Sequence, residues 1–339
     1  MIRNGMTTYV LGAGASLHAG YPFVKDMGSK LLQWMKARDG YPLLPFRDTA
    51  KALEEQFGDV SNIETLLNNI ESKISRRSAG YSLFANCYKP ALMQALRECF
   101  AEIHQQNRAT AYKLLAERMI QSGDCIITFN YDVSLDRELK QTNLWTLGDG
   151  YGFRVQGFEP HSPVTILKLH GSIGWLAAIF NGLTSGPVAL GSDGAFGSRP
   201  IFSDADLSAL GYENCIDPAF PRAGTAAIPP LILPTNRKKF YFDTSLGPEW
   251  KQFWDSLWKC AKKSLKRSDR VVICGYGMFP IDRRGCNLLL NGQLTADVEV
   301  CCGHDSNGIV QQLQSHGRQA HLASEVYFER WVETQASAI

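Results

Sequence analysis

No Cys-x-x-Cys pair occurs anywhere in the chain, although nine cysteines are present. That absence excludes a zinc ribbon of the usual spacing. The odd and scattered set also argues against a disulfide scaffold and points to a reducing compartment. Long apolar runs are missing too: nothing approaches the roughly 18 residues of a membrane span. The apolar stretch Tyr9–Ala15 is too short and too broken by glycine for a signal peptide, with only Arg3 ahead of it. A soluble cytoplasmic protein without a membrane partner is expected. An excess of charge of one sign is lacking, at 35 Lys and Arg against 33 Asp and Glu, so no global electrostatic case for nucleic acid exists. There is no internal repeat and no low-complexity tail. What the 339 residues do have is apolar content, at 45%, enough for one large core or two smaller ones.

The stretch that organises the rest is Thr8-Tyr9-Val10-Leu11-Gly12-Ala13-Gly14-Ala15-Ser16. Tyr9, Val10 and Leu11 read as a short buried strand, apolar without a break. Gly12-Ala13-Gly14 then lets backbone amides approach a ligand, and the first amides of a following helix have no internal partners. A nucleotide pyrophosphate is what such a turn usually holds. The G-x-G-x-x-G fingerprint is incomplete, because Leu17 stands where the third glycine belongs. The plain alternative is a tight strand-to-helix turn with no ligand.

Residues from about 24 to 122 predict a long, almost wholly helical insertion. Met27, Leu31, Leu32 and Met35 fall at helical spacing, as do Ile63, Leu66, Leu67, Ile70 and Ile74 behind a capping box at Ser61–Glu64. Leu92, Leu96, Cys99, Phe100 and Ile103 form another stripe, and Tyr112, Leu115, Ala116 and Met119 a third. Residues from about 177 to 228 are rich in Gly, Ser, Asp and Pro and predict an irregular insertion on the crevice side. Pro229–Pro234 returns to the core. Trp250, Phe253, Trp254, Leu257, Trp258, Ala261 and Leu265 then spell an amphipathic helix. Its opposite face carries Lys251, Lys259, Lys262, Lys263, Lys266 and Arg267. The aromatics lie on the core stripe rather than among the lysines, so that face reads as solvated and not as a nucleic-acid contact.

Four further strand signals end in small or polar residues. Cys125–Thr128 leads to Phe129-Asn130-Tyr131-Asp132, and Val164–Leu169 leads to His170-Gly171-Ser172. Val271–Cys274 leads to Gly275-Tyr276-Gly277, and a last strand is expected at Val298–Cys302. In open α/β sheets ligands gather beyond the carboxyl ends of strands. The fold class is therefore α/β, a Rossmann-like parallel sheet with a ligand crevice along one edge. The expectation is one domain over 1–339 carrying the two insertions.

Taken in order, Gly12–Ser16 with Gly20-Tyr21-Pro22, Thr128–Asp132 and Leu169–Ser172 resemble the signatures of the sirtuin superfamily. Asn62–Leu67 and Gly275–Asp282 are similar to its divergent branch in prokaryotic anti-phage defence proteins. Two features depart from the protein deacylases of that superfamily. The zinc ribbon is absent, and Phe23-Val24-Lys25 replaces the Asp-Phe-Arg of their loop. The resemblance implies a sirtuin-like fold without the ribbon and without metal, and an enzyme that hydrolyses NAD to nicotinamide and ADP-ribose. It implies a phosphate cradle at Gly12, Ala13, Gly14, Ala15 and Ser16 with Pro22, Phe23 and Thr128 nearby. The adenosine half would lie at Gly275, Tyr276 and Gly277. It also implies a homo-oligomer or an activating partner, an Argonaute-type protein or a DNA-translocating ATPase.

The residue types suit that chemistry. Cleavage of the nicotinamide–ribose bond builds positive charge on the ribose, and nicotinamide leaves neutral, so no strong acid is needed. His170 suits the base, Asn130 the ribose and water, and Asp132 the carboxamide or the surrounding backbone. Each has a plainer reading. His170 could be a turn residue, Asn130 a helix cap, Asp132 an ion-pair partner of Arg137, and His18 a helix-surface residue. An NAD-dependent deacylase or ADP-ribosyltransferase, and a non-catalytic NAD or ADP-ribose sensor, stand as alternative functions.

Overall fold

A computed structural model describes residues 5–41, 44–58, 60–73, 88–106, 109–153, 161–175, 177–180, 225–228, 231–233, 248–292 and 294–338. In chain order the strands are β1 (Thr7–Leu11), β2 (Gly40–Tyr41), β3 (Leu44–Pro45), β4 (Cys125–Thr128), β5 (Thr165–Lys168), β6 (Ala177–Phe180), β7 (Thr225–Ile228), β8 (Arg270–Cys274), β9 (Asp297–Cys301) and β10 (Ala320–Leu322). The helices are α1 (Val24–Lys36), α2 (Phe46–Phe57), α3 (Ile63–Lys73), α4 (Lys89–Gln105), α5 (Thr110–Arg118), α6 (Ser134–Gln141), α7 (Pro248–Arg267), α8 (Arg283–Leu290), α9 (Ser306–Ser315) and α10 (Phe328–Ser337). The chain divides into two compact units, one of Met1–Tyr21, Gln106–His170 and Trp254–Ile339, the other of Pro22–Gln105 and Gly171–Phe253.

The first unit holds a six-stranded sheet in the order β10-β9-β8-β1-β4-β5. Every pairing in it is parallel. Strands covered on both faces need near-continuous apolar runs, and all five residues of β1 and all four of β4 are buried. From β1 the chain proceeds outward through β4 and β5, then crosses to β8 and proceeds outward the other way. The order therefore reverses between β1 and β8, which makes that gap the topological switch point where open α/β sheets place ligands. Beyond the expected strands, β10 adds a short edge. Trp254, Leu257, Trp258, Ala261 and Leu265 of α7 are buried as their spacing requires, and Lys259, Lys262, Lys263, Lys266 and Arg267 are exposed. Phe328 and Trp331 of α10 are buried, and α10 packs on α5.

In the second unit α1 packs against α2, α3 and α4, and Met27, Leu31, Leu32 and Met35, like Leu66, Leu67, Ile70 and Phe100, are buried. The cap of α3 sits one residue later than the sequence suggests. Asn62 Oδ1 accepts from the amides of Glu64 and Thr65 at 2.8 and 3.2 Å, while the Ser61 carbonyl accepts from Gly28 at 2.9 Å. Asn and Ser cap equally well, so the choice falls to tertiary contacts. The helical stretch is interrupted by the β2–β3 pair. The expected irregular insertion begins and ends in strand, since β6 and β7 pair antiparallel with Ala177 opposite Ile228. Residues 181–224, like Ile74 of the α3 stripe, lie outside the described residues.

Candidate functional site

Four strand ends meet at the switch point. The Gly12 amide donates to the Cys274 carbonyl and the Gly14 amide to the Gly275 carbonyl, both at 3.0 Å. A Cβ on Gly12 would lie 2.6 Å from the Gly275 oxygen, and one on Gly14 2.8 Å from the Gly275 Cα. Gly275 itself has φ +61, and its Cβ would fall 2.2 Å from the Ala15 nitrogen. These glycines are needed first so that the two turns can interlock. The amides of Gly12, Gly14 and Ala15 donate inside the protein. Gly12 leads into a 3-10 segment, Ala13–Ala19. Its first amide, on Ala13, has no helical acceptor ahead of it.

Behind the turn lies a buried polar cluster. Asn130 Nδ2 donates to the Gly12 carbonyl and to Ser16 Oγ, each at 2.9 Å. A carbonyl can only accept, which fixes the amide orientation and commits both Nδ2 protons. That leaves Oδ1, an acceptor, outside these bonds. Ser16 Oγ donates to Asp132 Oδ2 at 2.7 Å. With its single proton so used, its 2.7 Å contact to Tyr112 is one in which the phenol donates. Burial, then the nearby Asp132 charge, raises Tyr112 well above the usual phenol range and keeps it protonated. Asp132 Oδ1 also accepts from the Ser134 amide at 3.1 Å and so starts α6. Arg137 pairs with Glu138. Thr128 Oγ1 accepts from the Asn130 amide at 3.1 Å and shapes the loop.

His18 is half-buried. Its Nε2 accepts from the Tyr112 amide at 3.4 Å, and its ring lies 4.8 Å from Tyr112 and 5.7 Å from Phe328. Burial lowers its pKa, against the opposing pull of Asp132 and the Ala15 carbonyl.

His170, at the end of β5, is buried. Its Nε2 lies 3.4 Å from Asp282 Oδ2, and its ring packs edge-on to Phe129 at 5.0 Å. Phe129 stacks on Tyr276 at 4.1 Å, and the Tyr276 hydroxyl donates to Asp282 Oδ2 at 2.8 Å. Burial, then Asp282, raises the Tyr276 phenol and keeps it a donor. Asp282 also caps α8 through Gly285, where a Cβ would lie 2.0 Å from the Tyr276 oxygen. Two residues before His170, fully buried Lys168 pairs with Asp136 at 3.1 Å and donates to the Asp132 carbonyl at 2.5 Å.

Gly12–Ser16, Thr128, Asn130, Asp132, His170, Gly275, Tyr276 and Gly277 all fall in the first unit. Pro22 and Phe23 fall in the second unit, where Phe23 precedes α1 and is 43% exposed. Tyr112, Lys168 and Asp282 escaped the sequence reading. Their signals were a hydroxyl on an apolar stripe, a lysine closing a buried strand, and an Asp at helix-cap position.

Fold and site define an α/β protein with a Rossmann-like parallel sheet and a polar cluster at its switch point. No protein-family model matches the chain, and no curated protein matches it. Among solved structures it is similar to a Sir2 homologue in complex with NAD, at 12% identity and a TM-score of 0.39, covering 99% of this chain and 91% of that one. It is similar to Sir2 in complex with an inhibitor, 2'-O-acetyl-ADP-ribose and a deacetylated p53 peptide, at 11% identity and 0.41, covering 98% and 93%. A Sir2 homologue mutant in complex with ADP-ribose gives 14% and 0.40, covering 99% and 95%. Among the described residues no group of three or more His, Cys, Asp or Glu could hold a metal ion, and no helix is long and apolar enough to cross a membrane.

Proposed function

We propose that the chain hydrolyses NAD at the nicotinamide–ribose bond. The reading is supported by a carboxylate-paired imidazole, His170, just past the end of β5, and by Asn130 just past the end of the neighbouring β4, with its amide nitrogen committed to Gly12 and Ser16. The order of the motifs along the chain supports the choice of NAD. Asn130 Oδ1 would accept from the attacking water or a ribose hydroxyl. His170 would take the water proton as the oxygen bonds to the ribose carbon. The carbon–nitrogen bond breaks with its electron pair going to the pyridine nitrogen, so nicotinamide leaves neutral. Ser16, Tyr112 and Asp132 would keep Asn130 in place, and Ala13 would face the pyrophosphate. The cellular role that follows is NAD depletion as an anti-phage effector, silent until assembly with copies of itself or a partner.

A second reading is favoured by one observation. So many polar groups of the cluster are satisfied internally that a non-catalytic NAD or ADP-ribose sensor would also be served by it. Incubation with NAD in ¹⁸O water separates the readings. Hydrolysis gives free nicotinamide and ADP-ribose carrying one ¹⁸O. Transfer gives nicotinamide without labelled ADP-ribose, and a sensor gives neither.

A further inference from the structure

We propose that Asp282 is the positioning residue for His170, and that the two work as one carboxylate–imidazole pair aligned by Tyr276. The inference rests on the NAD-cleavage reading for its catalytic meaning, but the pair itself is a matter of geometry. Asp282 Oδ2 faces both His170 Nε2, at 3.4 Å, and the Tyr276 hydroxyl, at 2.8 Å, while Oδ1 faces the Gly285 amide. One carboxylate therefore accepts from the Tyr276 hydroxyl and the Gly285 amide and lies within ion-pair reach of the His170 ring. It is held from both ends: α8 begins on it, and Tyr276 is clamped by its stack on Phe129. Phe129 touches the His170 ring as well, so the aromatic pair fixes imidazole and phenol against the same oxygen.

The consequence is chemical. With a carboxylate beside Nε2, the tautomer carrying its proton there is favoured, and that leaves on Nδ1 the lone pair a base needs. When His170 takes the water proton at Nδ1, the imidazolium forms beside a negative charge, which stabilises it. Asp282 stays ionised and transfers no proton. Among the described residues, titratable groups beside the pair include Tyr276 and, on α8, Cys286, whose thiol is directed at the Met278 and Phe279 carbonyls. Lys168, from β5, is committed to Asp136.

Asp282→Asn is the informative change, because Asn still caps a helix and accepts from Tyr276 but carries no charge. The His170 imidazole is followed by NMR titration of ¹⁵N-histidine protein, with His170→Gln to assign the signal, beside nicotinamide release from NAD. Asp282→Asn is expected to move the His170 titration to lower pH and to lower kcat by roughly 10²-fold, the smaller end of what a general base supplies, with KM nearly unchanged. The acid limb of the rate profile moves the same way. Tyr276→Phe removes the donor that competes for Oδ2 and is expected to move the titration to higher pH, so the pair stays testable if Asp282→Asn folds poorly. Opposite shifts with no nicotinamide release would uphold the pair and remove the cleavage reading. Release that proceeds normally in Asp282→Asn, or a titration that neither change moves, overturns the proposal.

Discussion

Lys168 is the only fully buried lysine among the described residues, at 1% exposure, and replacing it by Met isolates what its charge does. Its ammonium lies 3.1 Å from Asp136 Oδ2, and Asp136 Oδ1 accepts from the Tyr151 hydroxyl at 2.5 Å. Burial raises the Asp136 pKa, and Lys168 opposes that rise. Lys168→Met keeps the volume and leaves a buried carboxyl without its cation, a change that costs about 3–5 kcal/mol. For a unit of this size that is a fall in Tm of roughly 6–20 °C. A double variant, Lys168→Met with Asp136→Asn, removes the stranded charge and is expected to recover most of the loss. A folded-state carboxyl pKa above its unfolded value means the native state binds more protons, so stability falls as pH rises between the two values. Without Lys168 the folded value climbs further, and the deficit of the single variant widens from pH 5 to pH 8. Thermal and urea unfolding at both pH values would show this. A single variant within about 1 kcal/mol of the unaltered protein at both, or a double variant no better than the single, refutes the reasoning.

Two further outcomes follow from particular contacts. Gly275→Ala combines a left-handed backbone with a Cβ 2.2 Å from a main-chain nitrogen, and is expected to cost about 2–5 kcal/mol. Gly123→Ala, at φ +92 but with nothing within 4 Å of its Cβ, should cost only about 1–2 kcal/mol, and equal losses in urea unfolding would contradict the interlocked turns. Burial pushes the thiols of Cys99 up to about 11 and of Cys125 and Cys302 up to about 12. They should alkylate far more slowly than free cysteine at pH 8 and speed up only as pH rises toward those values, and rapid labelling of Cys302 in mass spectra would contradict that.

The sheet was legible because its strands are short continuous apolar runs that switch abruptly to glycine or polar residues. β10 was not, since of Ala320, His321 and Leu322 only Ala320 is buried, as at a sheet edge. Helical stripes were legible from spacing, whereas the choice of Asn62 over Ser61 as a cap depends on what Ser61 meets from α1. At the site, His170 and Asn130 were visible as polar residues past strand ends. Their partners were not, because Asp282 reaches His170 across 112 residues and Tyr112 reaches Ser16 across 96. The glycines of Gly12–Gly14 were read as room for a phosphate. Room for Gly275 explains them as well, and no one-dimensional pattern distinguishes a ligand from a second turn.

The central claim is met most directly by measuring nicotinamide release, ADP-ribose affinity and Tm on the unaltered protein, His170→Ala and Asn130→Ala. Loss of a general base costs roughly 10²–10⁴ in rate, or about 2.7–5.4 kcal/mol of barrier. The expected result is that both variants lose turnover by that order, that His170→Ala keeps its affinity for ADP-ribose, and that Asn130→Ala binds more weakly. Melting should change little for His170→Ala and more for Asn130→Ala, which also loses its bonds to Gly12 and Ser16. Near-normal turnover in His170→Ala, with unchanged melting, contradicts the assignment of the active site.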